Sequence, residues 1–164
     1  MYKTILVPLD MSKRAEAIFP HVEQLAQCTQ AGVVLLHVVE PLRPSYDIYA
    51  SEAELAQLMY DRNIGAAQEY MAICQKVFQD KGIAVETRIV SGDIVATIIK
   101  VADEIKADLI AMASHGRSGL AQVFYGSVAT GILHRVDRPL LVIRAIESKS
   151  AKPIADPIEQ VTDR

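Results

Sequence analysis

Leu109-Ile110-Ala111-Met112-Ala113-Ser114-His115-Gly116, separated by nine residues from Gly126-Ser127-Val128, is the stretch that decides the fold. The apolar run Leu109–Met112 reads as a buried strand that ends at its carboxyl edge in Ser-His-Gly. Gly126-Ser127 then opens a helical pattern over Val128–Val136. Two glycines flanking a loop between a strand end and a helix start let backbone N–H groups point into a cavity, where an anion can sit. Glycine also lets the backbone approach a ligand without a Cβ in the way. Ser127 adds a hydroxyl that can bond a phosphate oxygen or cap the helix.

Upstream, strands and helices alternate. Thr4–Pro8 reads as a first, central strand that stops at Pro8-Leu9-Asp10, and Ser12 is placed to cap the next helix. Apolar residues at Ala15, Ile18, Phe19, Val22, Leu25 and Ala26 form one helical stripe, closed by Gly32. Val33–Val39 is almost continuously apolar, as in a strand buried on both faces of a parallel sheet. Glu40–Ala50 is irregular. Ser51 and Glu54 have capping-box spacing before a long helix to about Asp80, with Leu55, Met59, Ala66, Tyr70, Cys74 and Val77 on one face. Lys81-Gly82 ends it.

Ala84–Val90 alternates apolar and charged residues and is expected at a sheet edge. Ser91-Gly92-Asp93 opens a helix with Ile94, Ile98, Val101 and Ile105 toward the core, and Pro139–Arg144 is the fifth strand. The alternation predicts an α/β fold of three layers, a doubly wound, five-stranded parallel sheet with helices on both faces. Right-handed crossovers centre the first strand and give the order 3-2-1-4-5. Ligands in such sheets bind beyond the strand carboxyl ends, at the switch point between strands one and four, where Asp10 and Gly116 fall.

Composition narrows the function. The 164 residues are 51% hydrophobic and 23% charged, as expected of one globular domain. A net charge of −3 with 5% aromatics argues against a nucleic-acid partner. No apolar run approaches a membrane span, and Met1-Tyr2-Lys3 leads into a run too short for a signal peptide, so the expectation is a cytoplasmic protein without membrane insertion. Cys28 and Cys74 lack metal-ligand spacing and read as structural thiols of a reducing compartment. No Gly-Lys-Ser or Gly-Lys-Thr follows the glycines and no acidic pair lies nearby, so fast phosphoryl transfer is not supported and slow ATP hydrolysis is the upper bound. Ser114 and His115, as strand neighbours, point apart and do not imply a nucleophile and base; no catalytic or metal-ligating residue is assigned. His37 reads as a satisfied core histidine, His21 as a helix-surface residue and His134 as a helix-end one.

Three segments, in order and spacing, carry a resemblance: Ile5-Leu6-Val7-Pro8-Leu9-Asp10, Leu35-Leu36-His37-Val38, and Gly116 with Gly126-Ser127. Together they resemble the universal stress protein family over residues 1–144. That family's signature is Gly, two residues, Gly, nine residues, Gly and Ser or Thr; Ala113 stands here at the first Gly. The resemblance implies a Rossmann-like fold of the adenine nucleotide alpha hydrolase type. It also implies ATP, alternatively AMP or ADP, in the cleft, with Mg2+ or Mn2+ held by the phosphates.

On this reading Asp10 bonds the ribose or base and the backbone of Val38 contacts adenine. Gly116, Gly126, Ser127 and Val128 hold the phosphates. His115 and Arg117 lie near them, and Pro8, Met112 and Ala113 complete the nucleotide-binding set. The apolar fifth strand, Pro139–Arg144, is expected to pair with a second copy as a homodimer, which the resemblance also implies. Regulation or stress response would follow, through a protein partner such as a transporter or signalling protein. A dimeric interaction module without nucleotide is the alternative, and an ATP-dependent adenylating enzyme is disfavoured because Pro8-Leu9-Asp10-Met11-Ser12 has no glycine. Residues 145–164, with two prolines and mixed charge, read as a flexible or partner-docking tail.

Overall fold

The computed structural model describes residues 1–41, 50–115 and 126–145, with the backbone alone for 50–53 and 115. The strands are β1 (Thr4–Pro8), β2 (Gly32–Val39), β3 (Val85–Ser91), β4 (Leu109–His115) and β5 (Leu140–Ala145). Between them run α1 (Phe19–Thr29), α2 (Ala50–Gln79), α3 (Ile94–Glu104) and α4 (Ser127–Leu133). All pairings are parallel, and the order is β3-β2-β1-β4-β5.

Period-two alternation on doubly buried strands splits the core into two layers. Ile5, Val7, Val33, Leu35, Leu109 and Ala111 face a layer completed by α1 and α2. Leu6, Val34, Leu36, Ile110 and Met112 face the opposite layer, closed by α3 and α4. In the first layer Phe19 and Phe78 meet edge to face, 5.1 Å between ring centroids.

At the amino-terminal edge the Asp108 carboxylate accepts the N–H groups of Lys3 (2.8 Å) and Thr4 (2.9 Å), which pins the start of β1 against that of β4. Arg138 donates to the Ala102 carbonyl at 2.8 Å and the Ala107 carbonyl at 3.3 Å, and pairs with Asp103 and Asp137. One guanidinium thereby ties the end of α3 to the approach to β5.

Several local expectations are corrected. The first helical stripe is broken by Pro20: a 3-10 turn, Ala15–Ile18, precedes α1, which places the proline in its first turn where a missing N–H costs nothing. α1 is closed by Gln30 in the left-handed region, φ 59°, while Gly32 is the first residue of β2. α2 begins one residue before Ser51, whose side chain lies outside those described.

The core face of α2 is Ala67, Met71, Cys74 and Phe78, not the stripe expected from Leu55. Tyr70 and Val77 flank that face, Ala66 is exposed, and Leu55 and Met59 are 57% and 53% exposed. β4 runs three residues past Met112, because its backbone ladder continues, pairing Ser114 with Arg144 and His115 with Ala145. The 146–164 part of the expected tail lies outside the described residues. Among those residues, no helix is long and apolar enough to cross a membrane.

Candidate functional site

The sheet order leaves β1 and β4 adjacent while their crossovers depart to opposite faces, so a cleft opens at their carboxyl ends. Its volume is about 320 Å³. β1 and the turn after it contribute Pro8, Leu9, Asp10, Ser12, Arg14 and Ala15. β2 supplies Leu36, His37 and Val38, and β4 supplies Met112, Ala113 and Ser114. Gly126, Ser127, Val128 and Ala129 close one side, and Ile94 and Ile98 of α3 form an apolar wall. An apolar wall with a few polar groups at one side is the usual make-up of a small-molecule site.

The turn after β1 is held by its own side chains. Asp10 Oδ1 accepts the Ser12 N–H at 3.0 Å, an Asx turn, and Ser12 Oγ accepts the Ala15 N–H at 3.1 Å. Met11 between them takes φ 63°, a left-handed conformation uncommon for a residue with a Cβ. Ser12 thus holds the turn that leads into the 3-10 segment, but it is not the expected helix cap: the cap positions are Arg14 for the 3-10 turn and Ile18 for α1, and neither makes a side-chain cap bond. His37 is buried, and its Nδ1 lies 2.8 Å from the Leu9 carbonyl oxygen. A carbonyl accepts and does not donate, so Nδ1 carries the hydrogen. This matches the satisfied core histidine, yet the same residue also borders the cleft.

On the opposite side, α4 begins at Ser127 with Gly126 as its cap residue; among the described residues no side chain caps it, so Ser127 is not the cap. The Gly126 carbonyl accepts the Thr130 N–H at 3.0 Å. Gly131 lets α4 lie close against α3: a Cβ there would fall 2.9 Å from Val95 Cγ2. That approach sets where residues 126–128 meet the cleft.

Pro8, Asp10, Val38, Met112, Ala113, Gly126, Ser127 and Val128, all singled out in the sequence, come together around this one cavity. His115 ends β4 and its side chain is not among those described; Gly116 and Arg117 lie outside the described residues. Sequence reasoning does not find Arg14, Ile94, Ile98 and Ala129 as site residues. The isoleucines are spaced as core residues are, and the start of α3 alone turns them toward the cavity. Arg14 has a signal, since the turn after a central strand borders the switch point.

The sequence profile of the Universal stress protein family matches residues 1–144. This chain belongs to that family. The universal stress protein MJ0577 of Methanocaldococcus jannaschii is 30% identical over 155 residues, spanning 88% of this chain and 96% of the relative. The solved structure of MJ0577 covers 90% of this chain and 99% of its own, with a TM-score of 0.77. A universal stress protein solved in complex with cAMP, 21% identical, covers 88% of this chain and 98% of its own at a TM-score of 0.55. Another from Archaeoglobus fulgidus, in complex with dAMP, is 19% identical and covers 86% and 97% at 0.61. These last two share the fold with this universal stress protein domain.

Proposed function

We propose that this universal stress protein binds an adenine nucleotide, foremost ATP, in the cleft between β1 and β4, and acts as a regulatory or stress-response module. The observation that carries the reading is the convergence of Asp10, Val38, Ala113 and the Gly126–Val128 turn, from separate parts of the chain, on one cavity at the switch point. The apolar wall of Val38, Ile94 and Ile98 suits a flat base, and the Asp10 carboxylate, oriented by Ser12, suits a ribose or base donor. The open backbone at Gly126 suits phosphates. The complexes of related folds with cAMP and dAMP support an adenine ligand.

Among the described residues no three His, Cys, Asp or Glu gather to hold a metal ion, so Mg2+ or Mn2+ would come with the phosphates. Ala113 lines the cleft, and its methyl is the feature that favours the alternative, a dimeric interaction module without nucleotide.

The test is to denature freshly purified protein and identify released nucleotide by chromatography, then titrate ATP with magnesium calorimetrically. Gly126→Val, which puts a branched side chain at the turn, is expected to weaken binding at least about tenfold, and Ala113→Gly to retain or tighten it. No released nucleotide and no heat of binding would replace this reading by the interaction module.

A further inference from the structure

Arg14 stands on the wall of the cleft formed by the turn after β1, and among the described residues that line the cavity it is the one Lys or Arg. Its neighbour Lys13 does not line the cavity; it pairs with Glu16 at 3.0 Å. The backbone beneath Arg14 is fixed on both sides. Ser12 receives the Ala15 N–H with its Oγ at 3.1 Å and its carbonyl at 3.0 Å, and the Arg14 carbonyl accepts the Ala17 N–H at 3.1 Å. This long, exposed side chain stands on a fixed base at the mouth of the cavity, within reach of a ligand there.

The molecule as a whole carries a net charge of −3, and the other charged side chain on the described cleft wall is the carboxylate of Asp10. A phosphate chain entering this cleft meets like charge unless one cation is aimed at it. Guanidinium suits that task, because its planar fork can take two phosphate oxygens at once.

We propose that Arg14 is the specificity-determining cation of the cleft, engaging the phosphates so that phosphorylated adenine nucleotides are selected over the unphosphorylated nucleoside. This rests on the nucleotide reading above and adds a phosphate contact from the β1 side of the cavity, across from the glycine turn. Base and ribose recognition stay with Val38 and Asp10, so removing the Arg14 charge acts on the phosphate part of the ligand alone.

The test is calorimetric titration of the full chain with ATP and with adenosine, for wild type, Arg14→Gln, Arg14→Lys and the control Lys13→Gln, with thermal melts to confirm folding. Wild type is expected to prefer ATP. Arg14→Gln is expected to weaken ATP about tenfold while leaving adenosine within about twofold. Arg14→Lys should recover part of the loss, since charge returns without the fork, and Lys13→Gln should change neither ligand. Raising the salt concentration should erode the difference between wild type and Arg14→Gln.

Unchanged ATP affinity in Arg14→Gln would overturn the proposal while leaving the nucleotide reading intact, and so would equal losses for ATP and adenosine. If Arg14→Gln does not fold, a wild type that binds ATP and adenosine equally overturns it. A wild type that binds neither overturns both readings.

Discussion

Ala113 sits in the extended ladder of β4, opposite Ile143, and is absent from the residues with positive φ. The backbone there does not require a glycine, so the methyl acts through the space it occupies and through nothing else. Gly92 is the opposite case. Its φ is +157°, and a Cβ would fall 2.5 Å from Thr97 Oγ1, a side chain buried in α3. Gly92→Ala should lower stability by about 1–3 kcal/mol in denaturant titration, and Thr97→Ala in the same chain should return part of it. Asp108 gives a pH signature. The Lys3 N–H, then that of Thr4, hold its carboxyl below the usual carboxylate range. Its stabilisation is complete above the unfolded value, near 3.9, and is lost as pH falls through the depressed folded value. Asp108→Asn should therefore melt below wild type at pH 7, and the gap should close on acidification below about pH 4.

At the scale of elements, the chain was most legible where burial is two-sided. Thr4–Pro8 has the bounds expected of it because Ile5, Leu6 and Val7 are wholly buried, and an uninterrupted apolar run has no other good home. α2 departs from its expected face for a physical reason. A 30-residue helix outruns the layer it packs on, so the apolar residues of its first turns, Leu55, Leu58 and Met59, do not continue in phase with the buried set. β4 outlasts its apolar run because a ladder depends on backbone groups and tolerates the polar side chains of Ser114 and His115. Among the described residues β5 pairs with β4 alone, and it carries Leu140, Leu141, Val142 and Ile143 half-buried on a sheet edge. We expect this edge to join a second copy, and sedimentation at micromolar concentration should give a dimer; a monomer there removes the expectation.

For the whole molecule, ligand and fold are linked. A nucleotide that binds the folded chain and not the unfolded one, present at about 100 times its dissociation constant, adds about 2.7 kcal/mol. The melting temperature should then rise by roughly 5–10 °C in a thermal scan with ATP and magnesium. An unmoved melting temperature at millimolar ATP would argue against the site. The strand order was legible because alternation and crossover handedness leave few arrangements. The cleft was legible less fully: motif residues such as Gly126 announce themselves, whereas Ile98 reads as ordinary core and reaches the cavity through three-dimensional placement alone.

The order β3-β2-β1-β4-β5 also has a temporal side. The central strand is made early, and its second neighbour must wait for the 100 residues from 9 to 108. At a ribosomal pace of about 5–20 residues per second, that wait is roughly 5–20 seconds. Until β4 is made, at most β1 to β3 are available to pair, and one side of the central apolar strand has no native neighbour, an edge that invites wrong partners. The central strand of the finished sheet is thus the one that waits longest for its second neighbour while the chain is being built.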